Sequence, residues 1–390
     1  MPGETWDAHV PLAERRDADV PQPDEHRGAD VPQPDQHRDT DVPQPGGRRG
    51  ADVPAPPALA DAMRRAIAAA ERVRGTTSPN PPVGCVVLAA DGQVVGVGAT
   101  QPPPGPHAEV VALREAGERA AGGTAVVTLE PCAHHGRTPP CADALLAAGI
   151  AAVHYAVPDP HPIAAGGATA LRTAGVAVQG GLLQAEVERG PLRAWLHFVR
   201  TGTPFVTWKF ASTLDGRVAA ADGTSRWISS PESRADVHAV RANVDAIVVG
   251  TGTALADDPA LTVRDGSDRR PLRVVVGRRA LPSAARLHDG AAATLALATH
   301  DPHVVLTELA GRGVVDVLLE GGPTLAGAFL RAGCVHRVLA YLAPAVLGAG
   351  STALGDAGVT TIADALRLHV EDVTMIGPDV RITAVPTKRG

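Results

Sequence analysis

A histidine, a glutamate and two cysteines stand at a spacing suited to metal chemistry: His107-Ala108-Glu109, then Pro131-Cys132, then Cys141 after a gap of eight residues. One imidazole and two thiolates can fill three corners of a tetrahedral zinc site and leave the fourth for water. Zinc would lower the pKa of that water, and Glu109 would take its proton. Hydroxide could then attack an amidine-like ring carbon while Glu109 passes the proton to departing ammonia. The plainer alternative is a structural zinc with His134 or His135 as fourth ligand and Glu109 as a solvated helix residue. Catalysis is the expectation, because the glutamate lies beside a ligand where strand gives way to helix.

The elements around these residues follow from pattern. Thr128-Leu129-Glu130-Pro131-Cys132 reads as a strand running out into a loop, where free backbone N–H groups and a metal favour a thiolate. His107 follows the proline-rich stretch Pro102–Pro106 and stands near the start of a helix expected to reach about Ala121. Before it, Leu59, Met63, Ile67, Ala70 and Val73 trace one helical face that closes at Gly75. Pro82–Leu88 reads as a strand, Asp91-Gly92 as a turn and Val94–Val97 as the returning strand. Strand Ala125–Leu129, helix Ala142–Ala148 and strand Ala152–Val157 complete an alternating pattern that implies a helix-covered sheet. Asn80, between two prolines, is expected to offer its amide to a pyrimidine edge. Cys85 belongs to an apolar core strand, and Cys334 shows no partner.

A second α/β unit follows the break Gly202-Thr203-Pro204. Strands are expected at 205–210, 246–249, 272–276, 294–297, 316–319 and 337–342, with helices at 231–242 and 323–332. Strand Val315–Leu319 runs into Glu320-Gly321-Gly322-Pro323-Thr324. Glycines there would let backbone N–H groups approach a phosphate, and proline suits a first helical turn.

Composition narrows the class. Residues 1–57 hold 12 acidic residues and 6 arginines, so the net charge of −6 resides there and 58–390 is balanced. Aromatic residues are only 3% of the chain, and a neutral body with few stacking rings points to a small-molecule substrate and away from nucleic acid. Asp-Val-Pro recurs every eleven residues from Asp19 to Pro54, and its prolines preclude a coiled coil, so 1–57 is expected to be a disordered Pro-rich repeat tail. Four cysteines at irregular spacing suit a reducing cytoplasm. No apolar run of about 18 residues marks a membrane span, and the acidic N-terminus is unlike a secretory signal.

The metal-site segments fit the zinc nucleobase-deaminase pattern H-x-E…P-C-x-x-C, except that eight residues separate the cysteines. The expanded loop, Ala133-His134-His135-Gly136-Arg137-Thr138-Pro139-Pro140-Cys141, resembles that of the bifunctional riboflavin-biosynthesis deaminase/reductase family. Lys209-Phe210-Ala211-Ser212-Thr213-Leu214-Asp215-Gly216-Arg217 and Ser225-Arg226-Trp227-Ile228-Ser229 resemble that family's reductase half. So do Gly250-Thr251-Gly252-Thr253, Asp257-Asp258-Pro259 and Leu261-Thr262-Val263-Arg264.

The resemblance covers residues 58–390 and implies an α/β protein in two parts. A cytidine-deaminase-like three-layer domain over 58–203 would precede a dihydrofolate-reductase-like α/β domain over 204–390. It implies zinc-dependent deamination of 2,5-diamino-6-(5-phosphoribosylamino)pyrimidin-4(3H)-one, then NADPH reduction of the ribosyl group to ribityl, in a cytoplasmic homo-oligomer. By this match His107, Cys132 and Cys141 hold Zn2+ and Glu109 shuttles the proton. Ala211, Trp227, Thr253, Asp257 and the run Gly322-Pro323-Thr324-Leu325-Ala326-Gly327-Ala328 fall on cofactor contacts. Ser225, Arg241, Leu261, Arg264 and Glu320 fall on substrate contacts, with Asn80, His135, Arg137 and Thr138 expected to join them at the deaminase site. Lys209, Asp215 and Glu320, in that order, are candidates for the reductase proton donor. The chain departs from the family at Gly277-Arg278-Arg279, where Asp-Ser is common, and at His161, where asparagine is usual. The two arginines either face the 2′-phosphate of NADPH or form a solvated turn.

Overall fold

A computed structural model describes residues 57–134, 139–161 and 164–387. The repeat tail at 1–56 lies outside the described residues, as do His135, Arg137 and Thr138.

The first sheet and its helices run α1 (Pro57–Glu71), β1 (Gly84–Leu88), β2 (Val94–Ala99), α2 (Ala108–Ala116), β3 (Thr124–Leu129), α3 (Cys141–Ala147), β4 (Ala152–Val157), α4 (Gly167–Thr173), β5 (Ala177–Gln179), α5 (Gln184–Arg189) and α6 (Arg193–Thr201). The strand order is β2-β1-β3-β4-β5, with β1 antiparallel to both neighbours and β3, β4 and β5 parallel. Glycines set the layering. A Cβ on Gly84 would stand 1.9 Å from the Ala66 carbonyl of α1, and one on Gly96 or Gly98 would stand 2.1 Å from a carbonyl of α2. Gly98 pairs with Cys85 across the ladder and Gly84 is the next residue along β1. Successive strand residues face opposite sides. The two helices therefore cover opposite faces, which gives the expected three layers. The helix after His107 is shorter than its pattern suggested: Gly117, at φ +56, ends α2 and a tighter turn covers Gly117–Ala120.

The second sheet is built from β6 (Phe205–Thr213), α7 (Pro231–Ala242), β7 (Ala246–Gly250), α8 (Thr251–Asp257), β8 (Leu272–Val276), β9 (Thr294–Leu297), α9 (Pro302–Ala310), β10 (Asp316–Leu319), α10 (Pro323–Arg331), β11 (Arg337–Ala343), β12 (Leu368–Ile376) and β13 (Asp379–Pro386). Its eight strands lie in the order β12-β13-β11-β6-β10-β7-β8-β9 and are parallel from β11 to β9. Alternation sorts the core. Val206, Trp208, Val248, Val317 and Leu319 bury against α9 and α10 through Val305 and Phe329. Ile247, Val249, Val275 and Leu318 face the other way, with Ala254 of α8. The β12–β13 hairpin was not anticipated from the sequence, because a register shift between Val370 and Asp372 breaks its alternation.

Residues 55–390 form one compact unit, so the sheets meet directly. Arg74, in the turn after α1, pairs with Asp316 of β10, and Ser78 Oγ donates to Asp245 Oδ2 at 2.9 Å. Arg269 donates to the Arg74 carbonyl and, at 2.8 Å, to that of Arg72.

Candidate active site

The end of β3 and the starts of α2 and α3 bring three ligand atoms together. His107 is the N-cap of α2, Cys141 is the first residue of α3, and Cys132 follows β3 by three positions. His107 Nδ1 lies 3.2 Å from Cys141 Sγ and 3.7 Å from Cys132 Sγ. All three ligand atoms fall within 4.8 Å of one another. Zinc bonds of about 2.0–2.3 Å in a tetrahedron put ligand atoms roughly 3.6–3.8 Å apart, a spacing that the trio approaches. Among the described residues no fourth His, Cys, Asp or Glu side chain joins the group. His134 is close in sequence but leaves Nδ1 buried without a hydrogen bond.

The electrostatics suit both binding and proton transfer. Hydrogen bonding from Cys141, thiol and backbone N–H, together with His107, holds the Cys132 thiol well below its usual range despite burial. The same shared proton, with burial and Glu109, pushes Cys141 up. Glu109, in the first turn of α2, is 4% exposed. Burial and then Cys132 push its carboxyl up to about 7, where it can exchange a proton near neutrality. Cys85 is fully buried on the α2 side of β1 and its thiol is raised by burial, so it is core, as expected.

Glu130, which follows the last residue of β3, holds the loop behind the metal site. Its carboxylate accepts backbone N–H bonds from Asp159 at 3.2 Å, Gly166 at 3.3 Å and Ala168 at 3.1 Å. A Cβ on Gly167 would lie 1.8 Å from the Pro131 carbonyl. One buried carboxylate and one bare backbone thus seat Asp159 and the 166–168 turn behind the Cys132 turn. The signal was an acidic residue at a strand end, which the zinc pattern overshadowed. Asn80 lines the crevice between the two sheets, with Arg74, Trp195, Asp245 and Asp316.

A second constellation sits at the C-terminal ends of the parallel strands, where open α/β sheets bind ligands. Leu319 is in register with Trp208, which sets Glu320 beside Lys209. Arg241 of α7 grips Glu320 bidentately, Nε to Oε1 at 2.6 Å and Nη2 to Oε2 at 2.7 Å. These two expected substrate contacts are therefore each other's partners. The Leu261 side chain is 3% exposed, in the core with Ile247, Val249 and Leu287, which leaves its backbone, at φ +48, to face a ligand. Arg264 is exposed and electrostatically coupled to His238 of α7, and Ser225 lies half-buried in the loop before α7.

The expected cofactor contacts meet at two turns. Thr253 Oγ1 accepts the Gly322 N–H at 3.1 Å, tying the start of α8 to that of α10. A Cβ on Gly322 would crowd that hydroxyl at 3.1 Å, and α10 begins at Pro323 with no side-chain cap. Such a bare helix start, nine residues long, offers N–H groups to a phosphate. Thr324 and Leu325 belong to that first turn. Ala326 is fully buried, and Gly327 faces the Asp356 carbonyl, where a Cβ would come within 2.3 Å. Ala328 is half-buried. Trp227 is 70% exposed beneath the Arg234 guanidinium, 4.4 Å from its ring, while Arg226 donates to the Asp257 carbonyl at 2.5 Å. Ala211, half-buried in β6, is in register with Tyr341. Gly277 has φ +135, and a Cβ there would meet Thr251 Oγ1 at 2.5 Å. The Arg279 guanidinium reaches over Gly252, 3.3 Å from where its Cβ would be. Cys334, expected without a partner, has its Sγ 3.8 Å from His303 Nδ1.

A zinc-type His/Cys/Cys centre with a buried glutamate on one sheet, and a ligand crevice on a second, define a two-site α/β enzyme of deaminase and reductase type. Residues 58–157 match the cytidine and deoxycytidylate deaminase zinc-binding region, and 204–382 match the RibD C-terminal domain. The chain belongs to the RibD family, bifunctional deaminase/reductases of riboflavin biosynthesis. It is 54% identical over 332 residues to riboflavin biosynthesis protein RibD of Mycobacterium tuberculosis, covering 84% of this chain and 97% of that protein. The Escherichia coli protein of the same name is 41% identical over 356 residues, covering 82% and 96%. The structure resembles Acinetobacter baumannii RibD at a TM-score of 0.78 and 38% identity, over 85% of this chain and 99% of that one. It also resembles a diaminohydroxyphosphoribosylaminopyrimidine deaminase/5-amino-6-(5-phosphoribosylamino)uracil reductase from Thermotoga maritima at 0.78 and 31%, with the same coverage.

Proposed function

We propose that His107, Cys132 and Cys141 hold a catalytic zinc and that 58–203 deaminates 2,5-diamino-6-(5-phosphoribosylamino)pyrimidin-4(3H)-one. The observation that carries this is the trio's spacing, with Glu109 buried beside it. Bound zinc supplies the Lewis acidity that lets water attack near neutral pH. Glu109 takes a proton from the attacking water and returns it to the leaving amine. Glu130 keeps the Cys132 turn in place, and Asn80, His135, Arg137 and Thr138 are assigned to substrate.

Residues 204–390 then reduce the ribosyl group of the uracil product. Ala211, Trp227, Thr253, Asp257 and the run Gly322–Ala328 would hold NADPH, which would supply the hydride for C1′. Ser225, Arg241, Arg264, Glu320 and the Leu261 backbone are assigned to substrate. Of the three candidate proton donors, Asp215 is an exposed carboxylate held near pKa about 2, chiefly by the Thr213 hydroxyl and then the Gly348 N–H. The Arg241 fork keeps Glu320 ionised. Lys209 is the remaining group able to give a proton as a cation.

The partner set is small molecules and a second copy of the chain. β12 is a nine-residue edge strand, with Val370, Val373 and Met375 exposed at 51%, 61% and 62%. An edge of this kind pairs readily with itself about a two-fold axis. Light scattering should give a dimer or a multiple of one; a monomer with both activities intact counts against this assembly. Cys132 and Cys141 as zinc thiolates, with Cys85 and Cys334 outside any disulfide, suit a reducing cytoplasm. No helix of the described residues is long and apolar enough to cross a membrane.

Supplying the diaminopyrimidine ribotide with NADPH tests the whole reading. Ammonia release should be followed by loss of NADPH absorbance. Ammonia without NADPH consumption eliminates the second step, and neither signal eliminates both.

A further inference from the structure

Tyr341 sits on β11 with no solvent-exposed surface, yet carries a polar tip. Its hydroxyl donates to Asp236 Oδ2 of α7 at 2.6 Å. Arg381 of β13 donates from Nη1 to both oxygens of the same carboxylate, at 3.2 and 3.0 Å. Three elements thus fix one phenol ring.

The ring has a specific neighbour. Lys209 and Leu339 are register partners on β6 and β11, and Tyr341 lies two residues beyond Leu339. Residues two apart share a sheet face, here the one covered by α7, whose Val237 packs on Leu339 and Tyr341. Lys209 Nζ lies 5.5 Å from the Tyr341 ring centroid, within cation–π range. A phenol that hydrogen-bonds to a carboxylate has a somewhat electron-richer ring, so Asp236 strengthens that attraction, while Arg381 fixes the carboxylate in place and partly offsets its charge.

We propose that Tyr341, anchored by Asp236 and Arg381, is a positioning residue for the reductase: its ring holds the Lys209 side chain as an ammonium beside Glu320, ready to donate. This rests on the reading of Lys209 as proton donor. The charged and titratable groups around it are Glu320 after β10, Asp236, His238 and Arg241 on α7, and Arg381 on β13. Burial pulls the Lys209 ammonium below the ordinary lysine range, Glu320 opposes this, and Arg241 adds to it. The ring favours the cation without bringing a competing base.

The test uses the full-length chain, 5-amino-6-(5-phosphoribosylamino)uracil and NADPH, with kcat followed into the alkaline range. Tyr341→Leu should move the alkaline limb to lower pH by about one unit, a tenfold rise in the lysine's acid constant. KM should change little. Tyr341→Phe keeps the ring and should move the limb much less. Ammonia release by the same samples reports an intact fold. A limb that stays in place in Tyr341→Leu, with deamination intact, overturns the proposal. If that variant loses deamination too, Asp236→Asn carries the test: a smaller displacement in the same direction supports the proposal and none overturns it. Lys209→Met separates the two layers. Reduction at the wild-type rate in that variant removes the proton-donor reading itself; an inactive Lys209→Met beside an unmoved Tyr341→Leu limb removes only the ring's role.

Discussion

Arg74 and Asp316, 242 positions apart, form a 2.9 Å ion pair between the turn after α1 and the first residue of β10. The pair is mostly buried, at 20% and 9% side-chain exposure; it uses Asp316 Oδ2, and Asp316 Oδ1 is buried without a hydrogen bond. Arg74→Met would strand that carboxylate, at a cost of about 3–5 kcal/mol. Urea unfolding should show an earlier midpoint, with deamination and reduction lost together. Unfolding at the wild-type midpoint would show that the pair does not join the two sheets energetically.

Glu109→Gln keeps the shape of the side chain and removes its basicity. Ammonia release should fall by roughly a hundred- to ten-thousandfold. Zinc content should hold, and NADPH oxidation with preformed uracil substrate should be unchanged. Loss of the metal in this variant would mean that the carboxylate supports the centre and does not move protons.

Removing the metal should separate the activities. Dialysis against a chelator, or Cys132→Ala, should abolish ammonia release while NADPH oxidation persists. Elemental analysis checks the zinc. If reduction disappears as well, the metal stabilises the whole unit and the catalytic reading of the trio weakens.

His336 Nδ1 accepts the Val206 N–H at 3.0 Å, and its ring lies 4.0 Å from that of His197. Burial and then His197 pull His336 down to about 4. The unfolded value is near 6.5, so between those two values the unfolded chain takes up a proton that the folded one refuses. Stability should therefore decline as pH falls from about 6.5 towards 4. His336→Asn retains an acceptor and loses the titration. Its urea midpoint should drop less between neutral and mildly acidic pH than that of the wild type, and an equal drop assigns the sensitivity to other groups.

The zinc trio was legible because its geometry is written locally: a ligand at a strand end and two at helix starts need only the right element boundaries. The layering of the first sheet was legible for the same reason, since each α/β alternation is a short-range pattern. Long-range pairing was not. Arg241 and Glu320 each drew notice as ligand contacts, but their mutual grip depends on α7 crossing the end of β10. Nothing in the neighbours of Leu261 foretells a side chain turned into the core, which leaves the backbone for any contact. The β12–β13 hairpin hid behind its bulge, although Gly377-Pro378 at its tip was a turn signal. The tether that Glu130 makes to three backbone N–H groups requires a loop that starts almost thirty residues later.

The order of strands has a consequence for biosynthesis. The first sheet is complete once Gln179 exists, because all its strands come from 84–179. In the second, β6 is made first yet lies between β11 and β10, and the β13 strand beside β11 comes from 379–386. Pairing across such separations is slow. On the ribosome, the first half can settle while the second waits until residues far beyond β6 have been made, with its first apolar strand unpaired and in need of shelter.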